Sequence, residues 1–134
     1  MKHPLTLLAL APLFTGCVFA AAAAAGGFVV SQQVLPNNVH VAQVALDVDK
    51  VWPSVKETVS YYQEPGSEPT VTDVPRTVHA KVDGAKVTVE VEAIDLDRTT
   101  IRVTAERMSG LTKDNETAAE VMNGILEHLE KEGA

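Results

Sequence analysis

Cysteine occurs once in 134 residues, at position 17, which excludes an intramolecular disulfide and any multi-cysteine zinc or iron–sulfur site. Aromatic residues make up only 4% of the chain, with a single tryptophan, Trp52. Basic residues are scarce: 11 Lys and Arg stand against 18 Asp and Glu, a net charge of −7. That balance argues against a nucleic-acid partner, because phosphate backbones are bound through basic patches. Charge of either sign is nearly missing from the first third of the chain, where Lys2 is the only Lys, Arg, Asp or Glu before Asp47. No glycine-rich phosphate loop, no Gly-x-Ser-x-Gly elbow and no HxH, HxxxH or HExxH spacing occurs, so no catalytic set, cofactor or metal site is expected from motif spacing. The length suits one small domain.

The charge-free start has an order of its own. Lys2 and His3 precede the apolar run Leu5 to Phe14, which ends in Thr15-Gly16-Cys17. A basic start, a short apolar core and small residues at a cut site describe a secretory signal peptide. Phe14-Thr15-Gly16-Cys17 resembles a bacterial lipobox, which implies cleavage between Gly16 and Cys17 and lipidation of Cys17. Several acyl chains on one residue hold a membrane stably where a single chain does not. Two other readings stay open. Leu5 to Val30 carries no charge and is long enough to cross a bilayer uncleaved, and an ordinary signal peptide cut within Ala20–Ala25 would discard Cys17. The expected organisation is a lipoprotein signal peptide at 1–16, a lipidated Cys and an apolar Ala/Gly-rich tether at 17–38, and a globular domain at 39–134. Under every reading that domain is exported. Val18 after the cysteine lacks the acidic residue associated with inner-membrane retention, which favours the outer membrane.

Within the domain, Val39 to Leu46 reads as a strand by its β-branched content. Val48, Val51, Trp52, Val55, Val59 and Tyr62 share one helical face. A start at Asp49 places Pro53 in the first turn, whereas a start at Asp47 requires a kink. Three further strands follow as a meander. Val78, Ala80 and Val82 alternate with polar residues, as do Val87, Val89 and Val91 and then Ile101, Val103 and Ala105. A two-residue Asp83-Gly84 turn brings the first two apolar sets onto one face by pairing Ala80 with Val87 and Val78 with Val89. The second hairpin needs a loop of odd length, and a three-residue Asp95-Leu96-Asp97 loop sets Glu90 opposite Arg102 and Lys86 opposite Glu106. Ala118, Val121, Met122, Ile125, Leu126 and Leu129 form the stripe of a last amphipathic helix, opened by Asp114 or Thr112. The expected fold is α+β, a four-stranded, largely antiparallel sheet in the order β-α-β-β-β-α with two helices on one face.

The pattern resembles a family of small, uncharacterised bacterial lipoproteins defined as a domain of unknown function. The resemblance rests on Gly16-Cys17 with the Ala/Gly-rich stretch behind it, on Leu46 to Trp52, on Thr77-Val78-His79-Ala80, on Asp83 to Val89, and on the Ile125-Leu126 helix. It implies the fold and an envelope address, and carries no catalytic residues. The residues themselves support a non-enzymatic interaction or structural module with an unknown envelope protein as partner. The alternative is a binder of a small apolar ligand or lipid, using a cleft lined by Trp52, Val55, Val59 and Tyr62 between helices and sheet. An enzyme would need ionisable groups from distant positions to meet in one pocket. His40, His79 and His128 read as surface histidines, Glu90 and Glu92 as a solvated face, and Asp95 and Asp97 as turn chemistry.

Overall fold

The computed structural model describes residues 27–133. The expected signal peptide at 1–16, with its Gly16 and Cys17 cleavage and lipidation positions, lies outside the described residues. In chain order the elements are β1 (Val29–Val34), β2 (His40–Val44), α1 (Val48–Tyr62), β3 (Thr70–Asp73), β4 (Arg76–Val82), β5 (Ala85–Asp95), β6 (Arg98–Arg107), β7 (Thr112–Lys113) and α2 (Asn115–Lys131). The fold is α+β as expected, but the sheet has seven strands rather than four, in the order β1-β2-β6-β5-β4-β3, with β7 beside the end of β6. All the pairings are antiparallel.

Each additional strand has a reason for escaping the sequence pattern. β1 falls inside the segment expected to be a tether, so the domain begins well before Val39. Phe28 is 6% exposed in the core, and its carbonyl accepts from the Ala45 N–H at 2.7 Å. A free linker would leave that ring in water. The Pro36-Asn37-Asn38 stretch is the turn of the β1–β2 hairpin, where Asn38 adopts φ 62, a conformation asparagine tolerates better than most residues. β3 is exposed along its whole length and so shows no apolar alternation. β7 is two residues long and continues the line of β2 along β6.

The meander registers match the parity argument. Ala80 pairs with Val87 and Val78 with Val89, around a turn with Asp83 at φ 50 and Gly84 at φ 79. Glu90 lies opposite Arg102 and Lys86 opposite Glu106. The three-residue loop is corrected: Asp95 pairs with Arg98 across a two-residue connection, and an irregularity between Ala93 and Asp95 supplies the odd residue. The charges close differently as well. Arg102 reaches diagonally to Glu92 at 3.0 Å, and Glu106 pairs with Lys113, which the unforeseen β7 places directly opposite it.

α1 begins after Asp47, whose Oδ1 accepts from the Asp49 N–H at 2.8 Å. Pro53 therefore sits in the second turn of one unbroken helical segment. It deprives the Asp49 carbonyl of its helical donor, and Asp49 is exposed, so water can replace it. Both helices cover the same sheet face. Val51, Val55 and Val59 of α1 and Val121, Met122, Ile125 and Leu129 of α2 are wholly buried with Val44, Val78, Val87, Val89, Ile101 and Val103 in one core. The opposite face carries Thr88, Glu90, Glu92, Arg102, Thr104 and His79, whose Nδ1 lies 3.1 Å from Thr88 Oγ1.

Asp114 caps α2. Its Oδ1 accepts from the Thr117 N–H at 3.0 Å, and its Oδ2 from the Thr117 hydroxyl at 2.7 Å and from Arg107 Nε at 2.6 Å. The Thr117 N–H and hydroxyl, with Arg107 adding to them, hold this carboxyl below the usual carboxylate range.

Two outcomes check this architecture. Phe28→Ala should destabilise the chain by about 3 kcal/mol, as loss of a core aromatic does, and urea unfolding reads it directly; a Phe28 in a free linker would cost nothing. Asp114→Ala should cost about 1 kcal/mol at neutral pH, with Asp114→Asn retaining most of the cap. Because the folded pKa is lowered, the stabilisation is complete at neutral pH and is lost as pH falls through that lowered value. The gap between wild type and Asp114→Ala should therefore close in acid and persist at pH 7.

Candidate functional site

α1 and α2 run side by side in opposite directions, which brings the start of α1 to the end of α2. Ser54, Glu57, Thr58 and Tyr61 recur at helical spacing on the α1 side, and Gly124, His128 and Glu132 on the α2 side. The two ridges enclose a groove of about 510 Å³ lined by Glu57, Thr58, Tyr61, Tyr62, Gly124, Glu127, His128 and Lys131.

Gly124 sets how closely Tyr62 approaches α2. A Cβ there would stand 2.6 Å from both Cε2 and Oη of Tyr62, so only glycine lets that ring lie against α2. Tyr61 is 85% exposed and meets Tyr62 edge to face at 5.6 Å. Burial raises the Tyr62 pKa above its usual value, with the negative charges of Glu120 and Glu127 adding to the effect.

At the other end of the groove three ionisable side chains converge. His128 Nε2 lies 3.0 Å from Glu132 Oε1 and 3.3 Å from Glu57 Oε2. The Ser54 hydroxyl donates to the other oxygen of Glu132. The order is hydroxyl–carboxylate–imidazole, so the imidazole is not placed to take the Ser54 proton as a nucleophile's base would. The arrangement instead holds a carboxylate and an imidazole in fixed positions facing one another. Thr58 is 6% exposed, and its Oγ1 has no hydrogen-bond partner.

Of the four residues expected to line a ligand cleft, only Tyr62 borders this groove. Val55 and Val59 have no exposed surface and Trp52 has 8%, so these three are packed core side chains rather than walls of an opening. Trp52 sits at the core's edge, donating from Nε1 to Asp73 Oδ1 at 3.2 Å, with the Lys56 ammonium 5.2 Å from its ring centre. The histidines are corrected in part. His79 lies on the outer sheet face as expected, but His40 is buried on the helix side of β2, 3.3 Å from Asn115 Oδ1. His128 is partly buried between two glutamates.

Sequence spacing could reveal only half of that cluster. His128 and Glu132 stand four apart on one helix and are visible as a pair. Glu57 lies on another helix, 71 residues from His128, and nothing in the local pattern joins them. No protein-family model matches the chain, and no curated protein matches it.

Gly124→Ala should destabilise the wild type by roughly 1 kcal/mol because Tyr62 must leave its seat. In a Tyr62→Ala background the same change should stabilise by about as much, since alanine is the better helix former. Thermal unfolding of the four proteins in this cycle checks the sign reversal.

Proposed function

We propose that the chain is a bacterial envelope lipoprotein, cleaved between Gly16 and Cys17, lipidated on Cys17 and facing the periplasm. Its α+β domain serves as a non-enzymatic interaction or structural module held at the membrane, with a protein of the envelope as partner. The observation that carries this reading is the basic start, short apolar run and Thr15-Gly16-Cys17 terminus ahead of a charged domain. The length of the connection supports it. Eleven peptide steps join Cys17 to the core residue Phe28, and at about 3.5 Å each they limit the reach to roughly 40 Å. A lipid on Cys17 would keep the domain close to one leaflet, with β1 nearest the anchor. No described helix is long and apolar enough to cross a membrane. The acidic balance of the chain favours a protein partner over nucleic acid.

Intact mass of the protein isolated from bacterial membranes, beside Cys17→Ala, tests the proposal. The expected result is a chain starting at Cys17 and carrying acyl chains, with both features lost in the variant. An unmodified full-length mass would identify the apolar run as an uncleaved anchor, and a shorter soluble chain would identify a free exported domain.

A further inference from the structure

We infer that Glu57, His128 and Glu132 form a binding site for a first-row divalent metal of the zinc type, where the start of α1 meets the end of α2. One ligand atom from each residue lies within 4.8 Å of the other two. Around a tetrahedral ion with bonds of about 2.0 Å, neighbouring ligand atoms are separated by about 3.3 Å. The two contacts of His128 Nε2, at 3.0 Å and 3.3 Å, are already those edges. A hydrogen on Nε2 can point at only one acceptor, yet two carboxylate oxygens are gathered around that nitrogen. A cation placed among the three would serve both.

The electrostatics point the same way. Glu132 is the C-cap of α2, where the helix dipole is negative and a carboxylate is disfavoured. Glu57 adds a second carboxylate close by. Lys131 borders the same groove, but no ion pair joins it to either glutamate among the described residues. The Ser54 hydroxyl holds one oxygen of Glu132 and leaves Oε1 facing His128, the supporting role that a second layer of hydrogen bonds plays around bound metals.

Thr58 is a further polar residue of the same groove. It is more than nine-tenths buried, and its hydroxyl is closed off from solvent and unpartnered. Buried hydroxyls are ordinarily paired. One imidazole with two carboxylates suits zinc and its first-row neighbours better than calcium or magnesium, which prefer all-oxygen shells.

Equilibrium dialysis of the untagged chain, as isolated from cells, against Zn²⁺ tests the inference, together with the visible absorption of the Co²⁺ form. The outcome is independent of how the N-terminus is processed. Saturable binding of one ion per chain and tetrahedral cobalt bands are expected. His128→Asn should abolish both, and Ser54→Ala should weaken binding about tenfold. Glu57→Gln changes a side chain that is 70% exposed, so its loss of affinity, expected to be about tenfold or more, cannot be attributed to unfolding. His79→Gln, on the opposite sheet face, should leave binding unchanged. Absence of saturable binding, or undiminished binding in Glu57→Gln and His128→Asn, would overturn the site.

Discussion

A sheet face built almost wholly of valine and alanine has to be covered, and one helix is too narrow to cover it. The four central strands, spaced about 4.8 Å apart, carry their apolar side chains across roughly 15 Å, whereas a helix with its side chains is about 10 Å wide. Two helices must therefore lie side by side on the same face. α1 takes the β4–β5 side and α2 the β6–β2 side, and their inner stripes close one continuous core. The remaining organisation follows from that coverage. Once the inner stripes are buried, the flanks of the two helices are forced against each other, and polar residues on those flanks become neighbours.

The groove between the helices is thus a by-product of covering the sheet, but its contents are not generic. Gly124 lets Tyr62 come close at one end, while Ser54, Glu57, His128 and Glu132 interlock at the other. Helix flanks usually present isolated charges to solvent, where an ion pair contributes little. Here a hydroxyl, an imidazole and two carboxylates meet. This is the one place among the described residues where ligating side chains from distant parts of the chain are gathered. Such a site on the helical side leaves the polar sheet face, with Thr88, Glu90, Arg102 and Thr104, on the opposite side of the domain.

Much of the fold was legible in side-chain periodicity. The alternation in β4, β5 and β6 and the Asp83-Gly84 turn specify the meander and its registers, because a one-residue slip would turn every valine outward. The stripes of α1 and α2 were equally clear. What periodicity missed were strands that bury nothing, such as β3, or that are too short to alternate, such as β7. β1 was missed for a different reason: Phe28-Val29-Val30 follows an alanine and glycine run and reads as its continuation, until its pairing with β2 buries the phenylalanine.

The candidate site was half legible. His128 and Glu132 are neighbours on one helix, so local spacing alone brings them together. Glu57 joins them only because α1 and α2 lie antiparallel at one particular register, and the same packing encloses Val55 and Val59 and closes the cleft that they were expected to line. Local periodicity dictated which faces are apolar, where the Asp83-Gly84 turn falls and how the meander pairs, since these depend on residues within hydrogen-bonding reach along the chain. The arrival of Ser54 and Glu57 at the His128–Glu132 pair, and the capture of Phe28 by the core, were decided by tertiary packing alone. Both depend on contacts between segments whose local patterns contain no information about each other.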